Sequence, residues 1–96
     1  MEGRYFKSVN LKQGEAFYDE VSDASIGIHR IEFVYEIAKA MVNLPAAERK
    51  NMEVDIKVGS LWKYETNGKK YVMLVAGFKG SVKEEPAFRI EIREVE

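Results

Sequence analysis

The chain has 96 residues, no cysteine, 46% hydrophobic residues, and 15 Lys and Arg against 16 Asp and Glu, which bounds it to one domain over 1–96 with a modest core. Without cysteine there is no disulfide framework, thiolate nucleophile or zinc–thiolate site. Taken whole, the net charge of -1 counts against nucleic-acid and membrane-surface partners, which recruit positive charge.

The opening segment, Met1-Glu2-Gly3-Arg4-Tyr5-Phe6, has neither the cationic nor the apolar region of a signal peptide. The longest apolar run, Tyr71 to Phe78, is far short of the roughly 20 residues that span a bilayer. These features predict a cytoplasmic protein that does not enter the membrane. Abundant Glu and Lys beside one Gln and four Asn tilt the composition toward a thermophilic source.

In chain order, Arg4 to Leu11 reads as a strand with Tyr5, Lys7, Val9 and Leu11 on one face. A turn at Lys12-Gln13-Gly14 and a second strand over Glu15 to Val21 would complete an N-terminal hairpin. Two periodicities compete over Ser25 to Leu44. Ile31, Phe33, Tyr35 and Ile37 alternate as in a strand, whereas Ser25, His29, Glu32, Glu36, Lys39 and Asn43 step by threes and fours. The second set falls within about 80° on one side of a helix. Asp23 or Ser25 suits the N-cap and Pro45 bars continuation, so the pattern predicts one long helix over 25–44. Pro45 to Lys50 adds a further helical turn.

From Met52 the period is two: Met52, Val54, Ile56 and Val58 alternate with Glu53, Asp55 and Lys57, and a bend at Gly59-Ser60 leads on through Tyr64. Asn67-Gly68 is a strong hairpin signal, because a type I′ turn needs two residues that tolerate positive φ. It sets the register, pairing Thr66 with Lys69, Glu65 with Lys70, Tyr64 with Tyr71, Lys63 with Val72, Trp62 with Met73 and Leu61 with Leu74. Opposed residues share a face, so Trp62, Tyr64, Tyr71, Met73 and Val75 lie on one side and Leu61, Lys63, Glu65, Lys70, Val72 and Leu74 on the other. Lys79 to Pro86 is a loop, and Ala87 to Arg93 a last strand with Phe88, Ile90 and Ile92 inward. The expected fold is α+β, in the order ββαβββ, with an antiparallel sheet packed on the helix 25–44.

Little points to catalysis. One histidine, His29, and no Ser/His/Asp arrangement argue against an enzyme, and no cofactor is implied. Glu15, Asp19, Glu20 and Asp23 lack the spacing and central glycine of a calcium loop, so no metal site is expected. Gly77-Phe78-Lys79-Gly80-Ser81 ends a strand and precedes no helix, unlike a phosphate-cradling loop.

Two features point to binding. The predicted helix is apolar over well more than the ~100° an ordinary surface helix needs, and this wide face, which includes Ile31, Val34, Ala38 and Met41 with Phe33 and Ala40 at its edge, predicts a homodimer packed through 25–44. The second feature is charge distribution. Between Ile56 and Lys83 stand six lysines and one acid, Glu65, with Trp62, Tyr64, Tyr71 and Phe78 interleaved. Lysines neutralise phosphates and each base stacked on a ring adds about 1–3 kcal/mol. This makes a non-enzymatic domain that binds single-stranded DNA or RNA through the hairpin face 57–83, with Lys63, Lys69, Lys70 and Lys79 on phosphates and Trp62, Tyr64 and Tyr71 on bases. The alternative is a homo-oligomeric interaction module without a nucleic-acid role. Whether those three rings are exposed or form core separates the two.

Overall fold

Burial repeats every second residue along most of this chain. The computed structural model describes residues 4–96; Met1, Glu2 and Gly3, the start of the segment inspected for a targeting signal, lie outside the described residues. Eight strands are described: β1 (Phe6–Lys12), β2 (Ala16–Asp19), β3 (Ala24–Glu32), β4 (Ile37–Asn43), β5 (Met52–Lys57), β6 (Leu61–Thr66), β7 (Lys69–Lys79) and β8 (Ala87–Val95). They form two antiparallel sheets in the orders β1-β8-β7-β6 and β2-β3-β4-β5. The sheets stack with Ile26, Ile28, Val42 and Ile56 of one against Met73, Val75, Phe88, Ile90 and Ile92 of the other, all buried. No helix among the described residues is long and apolar enough to cross a membrane.

The chain passes between sheets at two corners. At the first, Gly14 N–H donates to Ile28 O at 2.8 Å and Ile28 N–H to Glu15 O at 2.9 Å. At the second, Gly59 N–H donates to Val75 O at 2.8 Å and Val75 N–H to Ser60 O at 2.9 Å. The expected N-terminal hairpin therefore does not form, since β1 pairs with β8 and β2 with β3. The Gly59-Ser60 bend likewise separates two strands in different sheets.

The long helix over 25–44, and with it the α+β class and the ββαβββ order, is not what the chain adopts. That segment is β3, a 3-10 turn at Phe33–Tyr35, and β4. Ala24, Ile26 and Ile28, then Ala38, Ala40, Val42 and Leu44, point inward and are buried. Two irregularities disguise this alternation. The β3–β4 register shifts between Ile28 and Arg30, so His29 is an extra residue in a β-bulge. The turn between the strands, Phe33-Val34-Tyr35-Glu36, carries neither Gly nor Pro, and Glu36 itself supplies the left-handed conformation at φ 54. Ser25, His29, Lys39 and Asn43 are non-core positions of two strands, and across bulge and turn their spacing imitates a helical stripe. The β-branched Ile26, Ile28, Ile31, Val34, Ile37 and Val42 are the countervailing signal, since such side chains suit a pleated sheet. The homodimer surface expected on that helix is accordingly divided among the core, the outer side of β4 at Met41, and the exposed β3–β4 turn.

After Pro45 the chain makes a 3-10 turn at Ala47–Arg49. From it the Arg49 guanidinium donates to Lys63 O at 2.8 Å, occupying a carbonyl of the β6 edge. Beyond β7, the Gly80 backbone passes so close to Phe33 and Pro86 that an added Cβ would lie 2.8 Å from the Phe33 ring and 3.0 Å from the Pro86 Cα. Gly80→Ala is expected to destabilise the fold by about 1–3 kcal/mol through this overpacking. A urea titration checks it, and an unchanged midpoint would show that the loop yields without cost.

Candidate binding face of the β1-β8-β7-β6 sheet

The Asn67-Gly68 turn has φ of 52 and 75, both positive, and the β6–β7 register from Thr66↔Lys69 to Leu61↔Leu74 is the one the turn predicts. That register sets Trp62, Tyr64 and Tyr71 on one face, away from Lys63 and Lys70, and this face packs against the opposite sheet. Tyr64 and Tyr71 are buried, with ring centroids 5.8 Å apart and nearly parallel planes. Trp62 is half-buried against the core. None of the three rings lies on the outer face.

The outer face collects cations from four strands. Its rows run Lys12–Ala87–Lys79, Asn10–Arg89–Gly77, Ser8–Glu91–Leu74–Leu61, Phe6–Arg93–Val72–Lys63 and Val95–Lys70–Glu65. Six cations (Lys12, Lys63, Lys70, Lys79, Arg89 and Arg93) stand against two carboxylates, Glu65 and Glu91. Glu91 is nearly enclosed, with Arg89 Nε 3.3 Å and Arg93 Nη2 2.6 Å from its oxygens. It holds both guanidinium groups against the sheet while their outer edges stay half-exposed. Arg93 also lies 5.1 Å over the Phe6 ring, a cation–π geometry. Phe6 is 52% exposed and is the aromatic ring of this face. Leu61, Val72 and Leu74 supply apolar surface between the charges.

Of the four lysines singled out in the sequence, Lys63, Lys70 and Lys79 lie on this face. Lys69 does not; it sits at the hairpin tip, 4.0 Å from Glu94. Phe6, Lys12, Arg89 and Arg93 were missed, because a charge count along one window of sequence cannot see strands that join the sheet from either terminus. The alternation Phe88, Arg89, Ile90, Glu91, Ile92, Arg93 was the available signal, since residues two apart in a strand share a face.

Of the buried rings, Tyr64 belongs to a polar cluster between the sheets, and Tyr71 stacks on it. Asp19, almost fully buried, accepts from Tyr5 Oη at 2.5 Å, Ser22 N–H at 3.2 Å and Ser22 Oγ at 2.6 Å, and Ser22 Oγ lies 2.8 Å from Tyr64 Oη. Burial pushes the Tyr64 hydroxyl up to about 12. Burial, then the bond to Asp19, pushes Tyr5 above the usual tyrosine range. Ser22 is completely enclosed and the cluster joins the sheets, while the edges of Tyr64 and Tyr71 line a surface depression beside Lys63 and Lys70. Among the described residues no group of three or more His, Asp or Glu side chains gathers as a metal site. Comparison with known proteins finds no family model, no curated sequence and no solved structure that matches this chain.

Proposed function

We propose that this chain is a small non-enzymatic, cytoplasmic domain that binds single-stranded nucleic acid on the outer face of the β1-β8-β7-β6 sheet. The observation that carries the reading is the excess of six cations over two carboxylates on one sheet face, around an exposed phenylalanine. Lysine and arginine neutralise phosphates, and a ring exposed among them offers a surface on which a base stacks regardless of sequence. The stacking role passes from Trp62, Tyr64 and Tyr71 to Phe6. A flat sheet suits a strand whose bases are splayed rather than a closed duplex.

A labelled, unstructured oligonucleotide titrated at several salt concentrations tests this. With six phosphate contacts, log K should fall against log salt with a slope near -4, at about -0.7 per contact. Phe6→Ala should weaken binding roughly 5- to 160-fold, the range of one lost base stack, while leaving the salt slope unchanged. No binding at low salt would overturn the proposal.

The β3–β4 turn favours a second reading, the homo-oligomeric module. Val34 and Tyr35 are 83% and 75% exposed at its tip, and apolar side chains clustered in the open mark contact sites. Under that reading sedimentation gives twice the chain mass, falling to one chain in Val34→Ser with Tyr35→Ser.

A further inference from the structure

We propose that a hollow at the Lys12 end of the basic face seats one phosphate group, the terminal phosphate of a bound strand. The proposal rests on the nucleic-acid reading above and adds where the strand ends and what holds its end. Gly77 has no side chain and Ala87 only a methyl, and they occupy adjoining rows of the sheet. The face is therefore recessed between the long side chains of Lys12, Lys79 and Arg89. The recess, of about 90 Å³, is lined by Asn10, Gly77, Phe78, Lys79, Ala87 and Arg89, so its polar groups are those of Asn10, Lys79 and Arg89 and the backbone. It adjoins a second depression, lined by Lys12, Lys79, Lys83, Glu84 and Glu85, that shares Lys79.

Size, charge and direction agree on the occupant. At ~30 Å³ per water the recess holds about three waters, which suits a tetrahedral oxyanion better than a base. Asn10 supplies an amide, Lys79 an ammonium group and Arg89 a guanidinium that lies over Gly77, its Cζ 3.5 Å from where a Gly77 Cβ would stand, while Lys12 lines the neighbouring depression. A phosphomonoester carries a charge of about -1.5 to -2 near neutral pH, more than one phosphodiester, and so matches this concentration of cations. The Gly80 to Pro86 loop then brings Glu84 and Glu85 to the rim, with Glu85 3.9 Å from Lys12. Glu84 and Glu85 offset two of the three lysines of that depression, which leaves it a weaker phosphate site than the recess, so the strand ends in the recess.

The test uses the whole chain and one oligothymidylate carrying a 5′-phosphate, a 3′-phosphate or hydroxyls at both ends, followed by fluorescence anisotropy. One phosphorylated form is expected to bind at least about tenfold tighter than the hydroxyl form, as an added charge-assisted contact would give. Arg89→Gln lowers affinity for all three forms and erases the difference between them; Lys63→Gln lowers all three and preserves it. Equal affinities overturn the phosphate seat while leaving the nucleic-acid reading standing, and no binding of any form overturns both. A second arm titrates inorganic phosphate by amide NMR, for a seat that takes free phosphate. Shifts at Asn10 and Gly77 that disappear in Arg89→Gln support the seat's chemistry, and their absence counts against it. Retained thermal unfolding of each variant shows that the effects do not come from misfolding.

Discussion

Asp19→Ala is expected to lower the unfolding free energy by about 3 kcal/mol. A hydrogen bond to a charged group contributes about 1.5–3 kcal/mol, and a buried group left unpaired adds its own desolvation cost. Asp19 accepts three such bonds, from Tyr5 Oη and from the N–H and Oγ of Ser22. Water entering the space relieves part of the loss, which keeps the expectation below the sum. The bonds also join the sheets: Asp19 ends β2, whereas Tyr5 leads into β1 and Tyr64, reached through Ser22, lies on β6. Asp19→Asn keeps the shape and one acceptor and should cost about 1 kcal/mol. Urea unfolding measures both, and a loss below about 0.5 kcal/mol for the alanine variant would show that the cluster contributes no more than an ordinary surface site.

The same cluster makes the protein sensitive to alkali. Tyr64 ionises near 10 in the unfolded chain and is held up to about 12 in the folded one. A raised folded value means that the stability is fully present below about pH 10 and is lost as pH rises toward about 12, because the unfolded state releases the proton first. Tyr64→Phe should flatten that fall in a series of melts across this range.

The second large effect is on binding. Replacing Lys63, Lys70 and Arg93 together with glutamine is expected to reduce oligonucleotide affinity about 100-fold at ~0.1 M salt. Each phosphate contact contributes about 0.7 to the slope of log K against log salt, so three lost contacts flatten it by about 2, or two decades between ~1 M and ~0.1 M. Glu91 keeps Arg89 as its partner in this variant, so the fold should survive, which circular dichroism checks. An unchanged slope would mean that these side chains meet no phosphate.

What was legible differed from element to element. The β6–β7 hairpin could be read pair by pair, because Asn67 and Gly68 permit a turn that leaves one register to the residues beside it. The same register already set the lysines and the rings of the hairpin on opposite faces; only the packing of the second sheet decided which face was buried. The segment 25–44 was misread for the opposite reason. Its turn has no glycine or proline, its bulge falls at the polar His29, and within one window the non-core positions of two strands imitate a helical stripe. Half of the candidate face was visible as a run of lysines; the other half, Phe6, Lys12, Arg89 and Arg93, comes from strands at the two ends of the chain.

Taken alone, the sequence determined what local stereochemistry controls: the positive-φ hairpin turn, the period-two alternation from Met52 onward, and the inward set Phe88, Ile90 and Ile92. Tertiary structure decided what depends on partners distant along the chain. It set β1 beside β8, Phe6 opposite Arg93, and Asp19 against Tyr5 and Tyr64. Turns and alternation follow from the dihedral preferences and side-chain directions of neighbouring residues, whereas a sheet's edges and faces depend on which strands bury one another's apolar surface. That choice is made over the whole chain at once, and it divided a nearly neutral protein into a basic sheet face and a more acidic remainder.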